Sequence, residues 1–179
     1  GSSSRSDWHY LLINRWIEEN LPFKGNGWES YPSSLRIVNW IKWSLNGNLL
    51  KEDWVNSLEI QVRMLSANME KHLLGNHLFA NAKALIFAGL FFKGQEADQW
   101  YQKGKKILEN ELEEQVLSDG GNFELSTMYH SIFLEDFTPG LSSKPEEISI
   151  FFEIFDAFSR LFILIPPARN HSLISIFFK

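Results

Sequence analysis

Apolar residues recur every three or four positions along almost the whole chain of 179 residues, and this helical period constrains the fold more than any other feature. Glycines and prolines interrupt the period at intervals, which is typical of loops between helices. Ser6 and Asp7 can cap the first helix, and Gly47 ends the second. The pattern predicts seven helices, at about 6–20, 32–46, 50–74, 77–92, 95–117, 127–137 and 145–165.

The apolar stripes of these segments predict which side chains form the core. The segment 77–92 is apolar around most of its circumference, which indicates a helix buried on several sides. The stripe of the first helix consists of Trp8, Leu11, Leu12, Trp16 and Ile17. That of the second consists of Leu35, Val38, Ile41, Trp43 and Leu45, and that of the third of Trp54, Leu58, Val62, Leu65, Met69 and Leu73.

The predicted fold class is all-α, because no segment shows the alternation of a strand with any length. Helices of this length joined by short loops favour antiparallel helical hairpins. A bundle, a solenoid and an incomplete α/α toroid all satisfy the pattern. We expect residues 1–5 to be a cloning scar or disordered, residues 6–165 to form the helical domain, and residues 166–179 to be a divergent tail.

Composition excludes several classes of partner. The net charge is −5 and no stripe of Lys or Arg stands out, which argues against nucleic acid. No apolar run is long enough to predict membrane insertion. There is no Cys, His72 and His77 are five positions apart, and His130 and His171 lack ligand spacing, so neither a metal nor a cofactor is expected. Aromatic residues make up 15% of the chain, which suits a filled core or a sugar-binding cleft.

Two segments place polar groups in apolar surroundings. Asn76 and His77 lie at the start of the most apolar helix, where unpaired backbone N–H groups and the helix dipole favour an anionic ligand group. They could equally be an N-cap and a first-turn residue with a structural role only. The second segment brings Glu124 close to Tyr129 and His130, a plausible acid–base pair, although Tyr129 could instead be a core residue.

A third cluster lies in the loop before the second helix and in that helix. It comprises Trp28, Tyr31, Arg36 and Asn39, which we predict to bind substrate. Loops on a rigid scaffold often bind ligands, and Arg36 could hold a carboxylate in a bidentate fork or form a surface ion pair.

Three stretches in this order, GWESYPSSLRIVNWIKW, HLLGNHLFANAKALIFAGLFF and DGGNFELSTMYHSIFLEDF, closely resemble the heparinase II/III-like polysaccharide lyases. The resemblance covers about residues 7 to 138. It implies an N-terminal α/α toroid and β-elimination of uronic-acid-containing glycans. In the family a C-terminal β-sandwich follows the toroid, and we do not expect it within these 179 residues. The bacterial family also suggests a periplasmic or secreted protein.

The resemblance also implies roles for individual residues. Asn76 and His77 match the pair that neutralises the uronate carboxylate, and Tyr129 matches the tyrosine that protonates the leaving glycosidic oxygen. Glu124 and His130 flank that tyrosine as possible supporting residues. The expected partner is an acidic polysaccharide or oligosaccharide.

Two other functions stay open from the sequence. One is a non-catalytic glycan-binding or interaction module. The other is a toroidal glycoside hydrolase, which needs two opposed carboxylates, and Glu29 and Glu124 are the pair that could supply them.

Overall fold

The structure is a computed structural model that describes residues 2–70, 76–115, 117, 123 and 125–128. Within these residues it contains α-helices and one 3₁₀ turn and no strand, which confirms the all-α class. The α-helices are α1 (Ser2–Glu19), α2 (Ser30–Leu45), α3 (Glu52–Ala67), α4 (Asn76–Phe91) and α5 (Gln95–Gln115), with the 3₁₀ turn at Asn26–Trp28.

Two antiparallel hairpins make up most of this assembly. In the first, α2 and α3 run in opposite directions, because Arg36 hydrogen bonds to Gln61 while Ser30 hydrogen bonds to Asn68. In the second, α4 and α5 are joined by a short loop and pack so closely that a β-carbon on Gly104 would lie 2.7 Å from a backbone oxygen of α4. The predicted helical hairpins are therefore present in both pairs.

The second hairpin stacks on the first with its helices in the same directions. Tyr31 at the start of α2 lies against His77 at the start of α4, and Lys42 farther along α2 lies over the ring of Phe87. The end of α3 likewise contacts α5, where the Lys103 ammonium donates to a backbone carbonyl. As a result, the first turns of α2 and α4 open at the same end of the fold.

The core lies between the hairpins and centres on α4. All eleven residues from Leu78 to Ala88 are buried, as expected of a helix that is apolar on every side. Trp54, Leu58, Val62 and Leu65 bury the predicted face of α3. Trp100 and Leu108 do the same for α5.

Two predicted stripes are corrected by the structure. In α1, Trp8, Leu11 and Leu12 are half or more exposed, whereas Ile13 is buried and packs in the core. In α2, Leu35 is exposed, and the buried face consists of Ile37, Val38, Trp40 and Ile41. Apolar residues surround much of both helices, so the period alone did not single out the face that packs.

The bounds of two helices also differ from the prediction. The first begins at Ser2, before the predicted cap at Ser6 and Asp7. The third ends at Ala67 instead of extending to residue 74, and Asn68 closes its last turn with side-chain and backbone N–H groups that donate to the Met64 carbonyl. Gly47 ends the second helix with a positive φ of 83°, as predicted.

The predicted helices at 127–137 and 145–165 lie almost wholly outside the described residues. No helix of the described part is long and apolar enough to cross a membrane.

Candidate functional site

The first turns of α2 and α4, the end of α3 and the loop of residues 20–29 meet at one end of the fold. Ser34 of α2 accepts a hydrogen bond from Asn81 of α4, and Ser30 donates to the backbone carbonyl of Asn68 after α3. This end contains both Tyr31 and His77, which the sequence assigned to different clusters. Stacking of the two hairpins therefore joins two of the predicted site segments.

His77 lies in the first turn of α4 with its ring held between two neighbours. The ring stacks on Tyr31 at 4.3 Å between centroids and 23° between planes. Its Nδ1 lies 3.4 Å from a carboxylate oxygen of Glu70, which is long for a hydrogen bond. The side chain is 36% exposed, so a ligand from solvent can reach it.

Asn76 is the first residue of α4 and is half-buried beside His77. The first backbone N–H groups of a helix have no partner within that helix, and the helix dipole is positive at that end. The arrangement therefore suits an anionic ligand group. A helix start with a purely structural role has the same features. The side chains around Asn76 therefore have to distinguish a binding site from a structural helix start.

Glu70 is fixed by a buried polar network. The Glu70 backbone N–H donates to Asn81 Oδ1 at 3.1 Å, and Asn81 Nδ2 donates to Ser34 Oγ at 3.0 Å. Ser34 Oγ in turn donates to the Ser30 carbonyl at 2.8 Å. Asn81 and Ser34 have no exposed surface, and burial of polar groups is tolerated because each is hydrogen-bonded.

An open hollow of about 380 Å³ lies next to Glu70. Its lining combines aromatic rings and two carboxylates, contributed by Phe23, Trp28, Glu29 and Glu70. Trp28 is 5% exposed and packs between Trp16 and Phe23, so it supports the hollow and presents little surface to it.

Phe23 is the exposed aromatic of this hollow. Its side chain is 68% exposed although its ring lies 5.6 Å from that of Trp28. Its backbone has a φ of 64°, in the left-handed region that a bulky residue rarely adopts. An exposed ring on a backbone strained in this way is a candidate ligand-stacking surface, because such strain is often found at functional sites.

Arg36 lies farther along α2 and points towards α1. Its guanidinium lies 3.7 Å over the ring of Trp16, its Nε donates to Gln61 at 2.7 Å and an Nη donates to Ser33 at 3.1 Å. Burial lowers the pKa of Arg36 to about 10, which leaves it cationic at neutral pH. Two of its nitrogens are thus occupied within the protein, and the structure does not place it against His77.

The remaining predicted site residues fall into two groups. Asn39 is exposed on α2, one turn beyond Arg36. Glu124, Tyr129 and His130 lie outside the described residues, so the roles that the resemblance implies for them stay predictions. Within the described part of the chain, no three His, Asp or Glu side chains are grouped so as to hold a metal ion.

Three residues of this end were missed from the sequence, namely Phe23, Glu70 and Asn81. Asn81 carried a signal, because an amide in a helix that is apolar on all sides must find partners in the core. Glu70 and Phe23 carried none, since their surroundings come from chain segments that meet only in the fold.

Comparison with known proteins identifies the family to which the chain is similar. A family model described as "Heparinase II/III N-terminus" matches residues 39–146. A heparin-sulfate lyase of Bacteroides stercoris is 41% identical over 69 residues, that of Pedobacter heparinus 33% over 92, and that of Bacteroides thetaiotaomicron 29% over 137. These matches cover 38%, 51% and 70% of this chain.

The same matches cover only 10%, 14% and 20% of the three lyases, so the chain spans a small part of their length. No solved structure matches the chain. The family model covers more than half of the chain and includes α3, α4 and α5, with Glu70, His77 and Asn81. The chain therefore belongs to the heparinase II/III family, and its residues 39–146 match the N-terminal part of that family.

Proposed function

We propose that this chain is the helical part of a polysaccharide lyase that cleaves uronic-acid-containing glycans by β-elimination. The similarity to heparin-sulfate lyases supports a glycosaminoglycan as the substrate class. The observation that carries the proposal is the accessible imidazole of His77, held by Tyr31 and Glu70 at the positive end of the most buried helix.

β-Elimination needs this kind of group because the proton to be removed lies beside a carboxylate anion. Removing it builds a second negative charge, which is unfavourable unless donors stabilise the enolate-like intermediate. Asn76 and His77 would bind the uronate carboxylate and strengthen their hydrogen bonds as that charge develops. Loss of one such donor costs about 10²–10³-fold in kcat.

Tyr129 is the proposed acid–base residue. Its phenol would protonate the leaving glycosidic oxygen, with Glu124 and His130 in support. General acid–base help of this kind contributes about 10²–10⁴-fold. Closure of the helical hairpins into an incomplete α/α toroid belongs to the same proposal and is supported by the parallel stacking of α2 on α4.

Substrate would reach the site along the hollow beside Glu70. Phe23 offers an exposed ring on which a pyranose can stack, and Tyr31 continues the aromatic surface towards His77. Arg36 and Asn39 are proposed to contact parts of the glycan farther along α2.

The test is formation of unsaturated uronate, followed by ultraviolet absorbance, with the protein as its gene encodes it and with heparan sulfate, alginate and chondroitin sulfate as substrates. His77→Gln should reduce kcat by about 10²–10³-fold, and Tyr129→Phe should abolish turnover. The matched control is His9→Gln. His9 is an exposed histidine of α1 that lies beside Trp43, at the end of α2 opposite to Tyr31.

Equal rates for His77→Gln and His9→Gln would contradict the role of His77. Reducing sugars without unsaturated product would indicate a hydrolase instead. A quench of Trp fluorescence by uronic oligosaccharides without any product would indicate a glycan-binding module. For residues 1–179 alone we expect no more than trace product, because they match only 10–20% of the length of the three lyases and a partial cleft positions substrate poorly.

A further inference from the structure

Glu70 differs from the other acidic residues of the described part by its two-point attachment to the site. Its side chain is 16% exposed and its carboxylate faces His77 Nδ1 at 3.4 Å. Its backbone N–H is bound by the side chain of Asn81, which is fully buried. The carboxylate therefore projects from a fixed backbone position, although Glu70 itself follows α3 in an irregular segment.

The network behind Glu70 connects it to all three elements around the site. Asn81 belongs to α4, its other partner Ser34 belongs to α2, and Ser30 of α2 is bonded to Asn68 at the end of α3. A residue that only covered the surface would need no such support. These hydrogen bonds fix the Glu70 backbone relative to α2, α3 and α4, and its carboxylate lies beside the His77 ring.

A carboxylate at Nδ1 determines what the other ring nitrogen can do. An ionised carboxylate accepts hydrogen bonds only, so its partner Nδ1 must carry a proton. In a neutral imidazole one nitrogen donates and the other accepts, and the bond made by one nitrogen sets the state of the other. With Nδ1–H held by Glu70, Nε2 is the nitrogen left to meet a ligand.

We propose that Glu70 is a positioning residue that holds His77 in the Nδ1-protonated state, with one ring face on Tyr31 and with Nε2 directed away from Glu70. This deepens the proposed function and rests on it for the identity of the ligand. A uronate carboxylate would then meet His77 at Nε2, which can donate to it only when the ring carries both protons.

The direct test is the tautomer of His77, measured by long-range ¹⁵N–¹H correlation spectra of the labelled full chain at a pH where imidazole is neutral. The chain has five histidines, and the His77→Gln variant identifies the signal. We expect Nδ1–H in the wild type and a shift of most of the population to Nε2–H in Glu70→Ala.

Glu29→Gln is the matched control, because Glu29 lines the same hollow and the same charge is removed without contact to the His77 ring. Glu70→Gln keeps an acceptor at Nδ1 and should retain much of the Nδ1–H state. Each variant keeps the backbone bond to Asn81, and unfolding curves confirm that it is folded. Nε2–H in the folded wild type, or an unchanged tautomer in Glu70→Ala, would overturn the proposal.

Activity separates this inference from the proposed function. If the lyase is confirmed, Glu70→Ala should lower kcat by about 10–100-fold, as loss of an orienting partner typically does. KM should change less than kcat, and Glu70→Gln should recover part of the rate. If no variant or wild type cleaves uronides while the tautomer still shifts in Glu70→Ala, the proposed function fails and the positioning role stands. If cleavage occurs and Glu70→Ala leaves kcat intact, the positioning role fails alone.

Discussion

Asn81→Ala tests whether the buried network holds the candidate site together. Asn81 has no exposed surface and uses both ends of its amide, accepting from the Glu70 backbone at 3.1 Å and donating to Ser34 Oγ at 3.0 Å. Alanine removes both hydrogen bonds at once and leaves a small space in the middle of α4. The backbone of the helix is otherwise unchanged, since alanine is the best helix former.

The expected cost follows from these contacts. A hydrogen bond contributes about 0.5–1.5 kcal/mol net, so two contribute about 1–3 kcal/mol. A cavity the size of a methyl group or larger adds about 1 kcal/mol. The better helix propensity of alanine offsets about 0.5 kcal/mol. We therefore expect Asn81→Ala to lower the free energy of unfolding by about 1.5–3.5 kcal/mol, with the hydrogen bonds as the largest contribution.

The assay is equilibrium urea unfolding followed by Trp fluorescence, with the free energy taken from midpoints at a common slope. Asn56→Ala is the matched control, because Asn56 is exposed on α3, and its change should stay within about 0.5 kcal/mol. If the two alanine variants unfold at the same urea concentration, the hydrogen bonds of Asn81 do not stabilise the fold, and the anchored position of Glu70 has no energetic basis.

Three further perturbations have signs fixed by the structure. Gly104→Ala should lower the free energy of unfolding in urea by about 1–3 kcal/mol despite its better helix propensity. The reason is that the new β-carbon would lie 2.7 Å from a backbone oxygen of α4. The control Gln102→Ala, at an exposed position of α5, should change it little. Arg36→Lys should cost about 1–3 kcal/mol, since lysine loses the stacking on Trp16 and one hydrogen bond; an unchanged midpoint would contradict this. Burial raises the pKa of Glu111, so the folded state binds more protons than the unfolded state above the ordinary glutamate pKa, and stability falls as pH rises through that window. Glu111→Gln should therefore be more stable than wild type at neutral pH, with a difference that shrinks on acidification and would be absent at all pH values if Glu111 were not desolvated.

The helices were predictable where one face alone could be buried. In α3 the stripe of Trp54, Leu58, Val62 and Leu65 holds most of the large apolar residues, and that stripe is buried. In α1 apolar residues occupy more than one face, from Trp8 and Leu12 to Ile13, and the partner helices decide which face packs. Ile13 is buried because α2 and α3 pack against that side of α1, where Trp54 donates a hydrogen bond to Asn14.

The site was predictable only as separate local segments. Asn76 and His77 could be assigned because a helix start is a local feature of the sequence. The stacking of Tyr31 on His77 joins residues 46 positions apart, and the bond from Asn81 to Ser34 spans 47. No period or spacing encodes such contacts. They depend on the parallel stacking of α2 on α4, which the sequence left open among bundle, solenoid and toroid.

The charges at this end of the fold favour a site that stabilises a localised negative charge over one that attracts a polyanion. The cation of Arg36 is engaged by Gln61, Ser33 and Trp16, and the hollow itself contains the carboxylates of Glu29 and Glu70. A groove of this kind gains little affinity from the net charge of a glycan. The donors proposed to meet the uronate carboxylate are few, and their interaction is strongest when negative charge develops opposite them. Interactions that are stronger in the transition state than in the ground state raise kcat, whereas uniform attraction lowers KM alone. Under the proposed function, a single imidazole oriented by Glu70 therefore serves elimination better than a ring of mobile lysines would.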